Sequence, residues 1–186
     1  TYMNGKTVEQ EPPSSLYELL RLAKAAAIAI GHYHNHGYLH LDIKPSNFLV
    51  IPETRELVIL FDVDSVTKME DVKKGNVISV PFSKGWAAPE QMQGHINKLC
   101  PATDVYSIGA ILFQKIMGRV VENEDIGIFA NWNFDSIKFD KINPTIKRLL
   151  HEIFCKTLAA NINRRYQSIH ELIDKLSEAV KISEQK

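Results

Sequence analysis

The spacing of apolar residues predicts a chain built mainly from helices. Between residues 15 and 34, apolar side chains recur every three or four positions, the repeat of one face of an α-helix. Ser15 and Glu18 form a capping-box pair that favours a helix start, and Gly37 is expected to end the element. The apolar positions of this face are Leu16, Leu19, Leu20, Ala23, Ala27 and Ile30.

The second half of the chain predicts three further helices. Residues 103–117 are apolar almost all the way round, as expected for a buried helix, and Gly118 is a candidate C-cap. Asn143-Pro144 supplies an N-cap and a first-turn proline for the next helix. A second capping box, Ser168 with Glu171, begins the last helix, and the tail after residue 181 is expected to fray.

Between these helices the pattern predicts one hairpin and two irregular stretches. Residues 48–51 and 57–61 have the apolar character of short strands, joined by a turn around Pro52-Glu53. Residues 62–85 are polar and without clear periodicity, which predicts a long surface loop. Residues 119–142 are also expected to be irregular, with at most a short helix near 124–132.

Composition indicates an ordinary globular domain. The 186 residues are 45% hydrophobic and 24% charged, enough for one domain with a substantial core. Lys and Arg total 22 and Asp and Glu total 22, so no overall charge favours nucleic acid or an acidic membrane surface as a partner. No leader or membrane-spanning stretch is recognisable, which predicts a cytoplasmic protein, although Thr1 in place of a starting Met suggests a piece of a larger one. Cys100 and Cys155 are interpreted as buried, reduced thiols, with a single disulfide as the alternative.

The candidate chemistry is concentrated in residues 40–47. This stretch places a carboxylate (Asp42), an ammonium (Lys44) and a carboxamide (Asn47) between the first helix and the first strand. Phosphoryl transfer uses such a set: a carboxylate that orients the attacking hydroxyl, a cation, and oxygen ligands for Mg²⁺. Asp62, at the end of the second strand, is a further candidate metal ligand.

Five motifs in order make the chain resemble a protein kinase. His40-Leu41-Asp42 with Asn47 is similar to the catalytic loop, and Lys44-Pro45 is typical of the serine/threonine branch. The other four motifs are Asp62-Val63-Asp64, Ala88-Pro89-Glu90, the Asp104 to Gly109 stretch, and Arg165. The resemblance implies a mainly α (α+β) fold, the helical C-terminal lobe of a kinase with a small β-hairpin at its catalytic edge. It divides the chain into a hinge-like segment and linker (1–13), the lobe (14–182) and a tail (183–186).

The resemblance also implies a role for each site residue. Asp42 would be the catalytic base and Lys44 would steady the transferring group, with the Ser83 hydroxyl bonded to both. Asn47 and Asp62 would hold Mg²⁺. ATP would be bound by Lys44, Asn47 and Asp62 together with Met3 at the adenine edge and Leu49 beneath the ring.

Structural roles follow from the same resemblance. Asp104 would brace the backbone of the catalytic loop, and Glu90 would pair with Arg165, because a buried charge needs a partner. His40 is interpreted as a packing residue. His32, His34 and His36 alternate as metal ligands sometimes do, but partly exposed polar side chains are the favoured interpretation.

Three departures from the family pattern limit these expectations. Asp64 stands where kinases carry glycine, which removes the residue that most easily adopts a positive φ. Leu41 stands where many kinases carry an arginine that reads a phosphate, so the resemblance does not imply control by phosphorylation. Ser65, Thr67, Ser79 and Ser83 are expected to be unmodified surface hydroxyls. No glycine-rich phosphate loop is present, so the expected partners are a kinase N-lobe, in the same or another chain, and a protein substrate.

Two alternatives stay open. A pseudokinase would use the kinase shape only to bind partners, but it has no physical need for Asp42, Lys44, Asn47 and Asp62 together. A small-molecule phosphotransferase of the aminoglycoside or choline type shares the histidine-x-aspartate loop. Lys44, the motif at residues 88–90 and Arg165 favour a protein kinase over that second alternative.

Overall fold

The chain is mostly helical, with two small sheets. A computed structural model describes residues 5–50, 58–126, 132–134, 139 and 142–184. The helices described are α1 (Leu16–Asn35), α2 (Met69–Lys74), α3 (Pro89–Met92), α4 (Pro101–Met117), α5 (Pro144–Thr157) and α6 (Ile169–Glu184). The strands are β1 (Lys6–Thr7), β2 (Tyr38–Leu39), β3 (Phe48–Val50), β4 (Val58–Leu60) and β5 (Thr67–Lys68).

Helix α1 begins and ends where the sequence predicts. The Ser15 side chain accepts a hydrogen bond from the amide of Glu18 at 3.1 Å, which satisfies one of the free N–H groups of the first turn. Gly37 follows the helix with φ +79°, a conformation that glycine adopts without a steric penalty. The apolar face of α1 packs against α4 and α6.

Helix α4 lies at the centre of the fold. It begins at Pro101, two residues before the predicted start, because proline is well suited to the first helical position. A Cβ added at Gly109 would lie 2.2 Å from Thr157 Oγ1, so glycine permits the close approach of α5. Gly118 ends the helix with φ +73°, as predicted.

Helices α5 and α6 also follow their capping signals, but α6 is longer than expected. Asn143 Oδ1 accepts from the amide of Thr145 at 2.8 Å, and the Ser168 amide donates to Glu171 Oε1 at 3.1 Å. The prediction that the tail frays after residue 181 is wrong, because α6 continues to Glu184. Ile182 packs against the main core there, and this contact extends the helix.

The predicted hairpin is confirmed and gains a third strand. Strands β3 and β4 pair antiparallel with Leu49 opposite Ile59, while the turn expected at residues 52–53 lies outside the described residues. Strand β1 pairs with the other edge of β3, with Lys6 opposite Val50. A two-residue strand is too short to show alternation, so the sequence gives no signal for it.

The prediction of a structureless loop over residues 62–85 is wrong in part. Strand β5 pairs antiparallel with β2, with Leu39 opposite Thr67, and helix α2 follows directly. Gly75 ends this helix in the left-handed conformation, with φ +71°. Val72 is its one buried residue, too few for a helical repeat to be visible in the sequence.

Two apolar clusters stabilise the fold. The larger one joins α1, α4, α5 and α6, and its edge-to-face pair Phe113 and Phe154 has ring centroids 5.4 Å apart. The smaller one joins the segment around α2 to residues 40–47, the predicted catalytic stretch. Its buried members are Leu39, Leu41, Val72, Val80 and Leu99.

Three remaining expectations have mixed outcomes. Both cysteines are free thiols, but Cys100 is half-buried and Cys155 is exposed, so the expectation that both are buried is wrong. The short helix expected near 124–132 is a 3₁₀ turn at Asn123–Asp125, and residues 127–131 lie outside the described part. None of the helices described here has the length and apolar character needed to cross a membrane.

Candidate functional site

The carboxylate and the ammonium of the candidate site are in direct contact. Residues 40–47 connect β2 to β3 through a 3₁₀ turn at Pro45–Asn47. Lys44 Nζ donates to Asp42 Oδ2 at 2.6 Å and to Ser83 Oγ at 3.1 Å. The structure therefore brings together the three residues predicted to be catalytic. Among the residues that the structure describes, the Ser83 hydroxyl bonds to Lys44 and not to Asp42, so the expected bond to Asp42 is absent there.

One oxygen of the Asp42 carboxylate is left without a partner. Oδ2 accepts from Lys44, whereas Oδ1 is buried and accepts no hydrogen bond from the described residues. A buried, unpaired carboxylate oxygen is costly, and such atoms in folded proteins usually have a role or a missing partner. The geometry leaves a strong acceptor available for a hydroxyl group.

Asn47 and Asp62 lie on neighbouring backbone segments. Asn47 is 3% exposed and its Nδ2 donates to the Asp42 carbonyl at 3.0 Å, which directs the amide nitrogen towards the loop and leaves Oδ1 as the acceptor end. The Phe61 amide donates to the Asn47 carbonyl at 3.1 Å, which holds the start of the next segment against the loop. Asp62 is solvent-exposed and has φ +67°.

This donor set fits Mg²⁺ bound together with a phosphate ligand. Mg²⁺ is usually held by one or two carboxylates plus substrate phosphates and water, and Asn47 and Asp62 offer one amide oxygen and one carboxylate. Within the described residues there is no group of three or more His, Cys, Asp or Glu side chains that could hold a metal ion. A metal held by Asn47 and Asp62 would take its remaining ligands from water or from a phosphate group.

The two residues predicted at the adenine have different outcomes. Met3 lies outside the described residues. Leu49 is half-buried in the middle of β3, between two buried neighbours. A Cβ added at Gly5 would lie 2.6 Å from Leu49 Cγ, so the backbone at Gly5 packs directly on this side chain.

Asp104 holds the backbone of the catalytic stretch, as expected. Its Oδ2 accepts from the amide of His40 and its Oδ1 from the amide of Leu41, both at 2.9 Å. Leu41 has φ +66°, so these bonds stabilise a backbone conformation that leucine rarely adopts. Asp104 is fully buried in the first turn of α4. Its carboxylate oxygens accept the two amide hydrogen bonds that backbone carbonyl groups accept in a regular helix or sheet.

His34 is a site residue that the sequence analysis missed. The residue as a whole is partly exposed, as expected, but its side chain is only 7% exposed and its Nε2 lies 2.8 Å from Asp104 Oδ2. The Asp104 carboxylate therefore joins the end of α1 to the catalytic stretch. His34 lies six residues before His40, and no motif in the analysis drew on that spacing.

Gln91 is the second missed residue. Its Nε2 donates to the Leu41 carbonyl at 2.7 Å, and its Oε1 accepts from the Ala88 amide at 3.1 Å. The side chain is 2% exposed. Gln91 thus fixes α3 against the catalytic stretch, and its only sequence signal is that it directly follows Glu90.

Glu90 and Arg165 form the buried ion pair that was expected. Arg165 Nη1 and Nη2 donate to Glu90 Oε1 and Oε2, each at 2.8 Å. The guanidinium carbon also lies 5.0 Å from the ring centroid of Tyr106, a cation–π contact. The pair anchors α3, and with it Gln91, to the helical core.

His40 and the turn after Asp62 complete the surroundings of the site. His40 is fully buried, packs edge-to-face on Tyr33 with centroids 5.5 Å apart, and has a pKa lowered by burial, which agrees with a packing role. Ser65 Oγ donates to the His40 carbonyl at 2.8 Å and is buried, so the expectation of a surface hydroxyl at Ser65 is wrong. Asp64 occupies an exposed turn.

The residues of the site indicate a class of chemistry, and the comparison with known proteins shows the family. An aspartate–lysine pair beside two oxygen donors is a residue set that phosphoryl transfer uses. The family model of the protein kinase domain matches residues 2–176. The chain therefore belongs to the protein kinase family, in its serine/threonine branch.

Several curated relatives are similar over nearly the whole chain. A probable serine/threonine-protein kinase of Clostridium acetobutylicum is 26% identical over 183 residues, which are 95% of this chain and 27% of that protein. A probable serine/threonine-protein kinase of Clostridium perfringens is 28% identical over 97% of this chain and 27% of that protein. The probable serine/threonine-protein kinase PknB of Lactococcus lactis is 25% identical over 92% of this chain and 28% of its own length. The chain spans little more than a quarter of each of these relatives.

Proposed function

We propose that the chain forms the catalytic lobe of a serine/threonine protein kinase that transfers the γ-phosphoryl group of ATP to a protein hydroxyl. The observation that carries this proposal is the unpartnered Oδ1 of Asp42, beside an Oδ2 that is held by Lys44. The acceptor hydroxyl would donate to Oδ1, so that its oxygen faces the γ-phosphorus.

The transfer makes one bond and breaks one. The acceptor oxygen bonds to the γ-phosphorus as the bond from that phosphorus to the β–γ bridging oxygen breaks, and the hydroxyl proton passes to Asp42. Lys44 stabilises negative charge on the moving group and holds Asp42 in position. Ser83, which lies near the end of residues 62–85, accepts from Lys44 at 3.1 Å and so fixes the position of the lysine.

ATP and Mg²⁺ are the cofactors that this function requires. Asn47 Oδ1 and the Asp62 carboxylate would hold the metal, which when bound neutralises charge on the nucleotide phosphates. Asp62 follows β4 by two residues and is exposed to solvent, so its carboxylate is accessible to such a ligand. Met3 and Leu49 remain the proposed contacts of the adenine ring.

A second lobe and a protein substrate are the proposed partners. No glycine-rich phosphate loop or strand lysine occurs in the sequence, so the upper half of an ATP site would come from a kinase N-lobe in the same or another polypeptide. The exposed apolar side chains of Phe61 and Val63, on either side of Asp62, are compatible with a surface that such a lobe covers.

The pseudokinase alternative is less well supported. A binding module has no need for a buried carboxylate oxygen without a partner, because that arrangement costs stability. Its Asp42–Lys44–Ser83 contacts would also serve no purpose. Phosphorylation of a small molecule is disfavoured by the elaborate bracing of α3 through Glu90 and Arg165 next to the site.

The first test is calorimetric titration of the 186-residue chain with ATP, with and without Mg²⁺. Mg²⁺-dependent binding, lost in Asp62→Ala and kept in the control Asp64→Ala, would support the proposed site. The titration is repeated with a longer polypeptide that carries the chain, and transfer of ³²P to a protein hydroxyl is measured in both. Binding in neither polypeptide, or transfer only to a free sugar or amine, would overturn the proposal.

A further inference from the structure

A cavity lies between helix α5, the segment that joins α5 to α6 and the residues that follow α4. It has a volume of about 260 Å³, and its lining shares no residue with the candidate site around Asp42. Pockets that hold drug-sized ligands have volumes of about 300–1,000 Å³. This cavity therefore fits a smaller molecule, with one ring and a short chain.

The inner walls of the cavity are apolar and in part aromatic. Phe154 is fully buried and Leu158 is buried, and both line the cavity. The rings of Trp132 and Phe154 are packed edge to face there, with centroids 5.4 Å apart. Aromatic walls of this kind favour a ring in the ligand, because rings pack well on one another in edge-to-face and offset arrangements.

The indole of Trp132 carries a buried N–H group without a partner. Trp132 lines the cavity and is 6% exposed, and its Nε1 makes no hydrogen bond with any residue that the structure describes. Its ring is held by His151, which packs edge to face on it with centroids 5.1 Å apart. Buried polar groups are nearly always hydrogen-bonded, so this donor indicates an acceptor that a ligand would supply.

A buried carboxylate lies close to this donor. Asp125 lines the cavity, and Arg119 donates to both of its oxygens, to Oδ1 at 2.9 Å. Burial raises the pKa of Asp125, but the bonds from Arg119 and, more weakly, the nearby indole of Trp132 bring it below its ordinary value. The indole contact does not have the geometry of a hydrogen bond. Oδ1 accepts one bond from the described residues, so it can accept another from a ligand.

The mouth of the cavity carries a positive charge. Arg164 is exposed there, and its guanidinium forms no ion pair with the residues that the structure describes. Cys155 also lines the mouth, with its Sγ 3.6 Å from His151 Nδ1. Partial burial raises the pKa of the Cys155 thiol although Arg164 opposes the shift, so the thiol stays neutral and adds no negative charge. The guanidinium is therefore available to an anionic group.

From these observations we propose that the cavity binds a phenolic carboxylate. The ring would lie on Phe154 and Leu158, and the carboxylate would pair with Arg164 at the mouth. The hydroxyl would accept from Trp132 Nε1 and donate to Asp125 Oδ1, since a phenol can do both. A free phenolic acid and the C-terminal tyrosine of a peptide both present these groups. The proposal goes beyond the proposed kinase function and does not depend on it.

The first experiment compares three small molecules in calorimetric titrations of the 186-residue chain. They are 3-(4-hydroxyphenyl)propionate, 3-phenylpropionate, which lacks the hydroxyl, and tyramine, which has an ammonium in place of the carboxylate. We expect the phenolic acid to bind with a Kd of about 1 mM or below, the range for a ligand of its size. Loss of the hydroxyl should weaken binding about tenfold, because the buried N–H again lacks an acceptor. Equal affinities of the three, or no binding of the phenolic acid, would overturn the proposal.

Two variants test where the ligand binds. Arg164→Gln changes an exposed side chain and should weaken binding of the phenolic acid about fivefold, the range of one exposed ion pair. Arg148→Gln, which removes an exposed guanidinium from α5, is the matched control and should bind as the native chain does. Trp132→Phe keeps an aromatic ring but removes the N–H, so the advantage of the hydroxyl should disappear. Unchanged affinity in Arg164→Gln would overturn the proposal even if Trp132→Phe does not fold.

A last comparison distinguishes the two sources of this chemistry. The tripeptide Ala-Ala-Tyr is titrated with a free and with an amidated C-terminus. Tighter binding of the free form than of 3-(4-hydroxyphenyl)propionate assigns the cavity to the C-terminus of a peptide, and weaker binding assigns it to a free small molecule. Equal, measurable binding of the free and amidated forms would contradict the role given to the carboxylate. None of these measurements involves phosphoryl transfer, so a failure of the proposed function leaves their outcome unchanged.

Discussion

Glu90 and Arg165 are 75 residues apart in the sequence, and their side chains form a buried ion pair with two contacts of 2.8 Å. Arg165 has no exposed side-chain surface, and its Nε also donates to the Ala159 carbonyl at 2.8 Å. Breaking such a pair from one side leaves an uncompensated charge in the core. We expect Arg165→Ala to lower the free energy of unfolding by about 3–5 kcal/mol, measured by urea denaturation.

The double variant tests whether pairing is the cause. Replacing Glu90 by Gln and Arg165 by Met removes both charges, so it should be less destabilising than the sum of the two single changes. Lys175→Met, which breaks an exposed contact of 2.9 Å with Glu152, is the control and should cost less than about 1 kcal/mol. Additive losses at Glu90 and Arg165 would contradict the argument.

Removing the carboxylate of Asp42 is expected to abolish transfer without affecting the fold. Asp42→Asn keeps the shape of the side chain but cannot accept the hydroxyl proton, so the rate of transfer should fall by about 10²–10⁴. Affinity for ATP should change little, because the proposed metal ligands are Asn47 and Asp62. Rates of transfer and nucleotide affinities measured for Asp42→Asn and for Asp64→Asn check this, and full activity in the first variant would contradict it.

Asp104 and His34 are expected to act on the rate through the backbone that they hold. Asp104→Ala would leave the buried amides of His40 and Leu41 unpaired, at a cost of about 1–3 kcal/mol each. His34→Leu removes one contact of that carboxylate and should lower kcat with little change in KM for ATP. His34→Gln can still donate to Asp104 and should restore part of the rate, which a purely structural packing role would not predict.

The sequence predicts the large elements well because their signals are local. Ser15 with Glu18, and Asn143 with Pro144, carry the start of a helix within a few residues, and the structure places both helices there. The ion pair of Glu90 with Arg165 was also predictable, since each residue belongs to a motif of the family that the chain resembles.

The elements that the sequence does not reveal depend on partners far along the chain. Strand β5 forms because it pairs with β2, and Val72 is buried because it belongs to the same apolar cluster as Leu41 and Leu99. Neither fact leaves a periodic pattern in a polar stretch. His34 was missed for the same reason: one histidine at the end of a helix has no local feature that points to Asp104, 70 residues later.

His40 predicts a dependence of stability on pH. Its pKa in the folded chain lies below the ordinary value of 6.5 because burial disfavours the charged ring. The unfolded chain therefore takes up a proton at a higher pH than the folded chain does. The stability that the neutral His40 ring contributes should be fully present above pH 6.5. It should be lost as the pH is lowered from about 6.5 towards the pKa of His40 in the folded chain.

Comparing two variants isolates this contribution. The difference in unfolding free energy between the native chain and His40→Asn should decrease as the pH falls from 8 to 5, measured by urea titrations at each pH. His36→Asn, which changes an exposed ring, is measured in parallel as the control. If the difference for His40→Asn does not vary with pH, the prediction that burial lowers the pKa of His40 in the folded chain is wrong.

Leu41 is expected to hold residues 67–80 in place by packing rather than by charge. The residue is 1% exposed and shares the smaller apolar cluster with Val72 and Val80, so the position next to Asp42 is joined to α2 through hydrophobic contact. Leu41→Ala would leave a cavity and should lower the free energy of unfolding by about 2–5 kcal/mol, whereas the exposed Ile28→Ala should lower it by less than about 1 kcal/mol.

Amide exchange tests whether the same packing orders the residues around α2. Because the lost contacts reach the segment that carries Ser83, amide exchange at residues 67–80 should also accelerate in Leu41→Ala. Val72→Ala should accelerate the same amides, and the two changes together should cost less than their sum, since each removes the same contact. Unchanged exchange at these amides in Leu41→Ala would mean that the segment is positioned by its β2–β5 pairing alone.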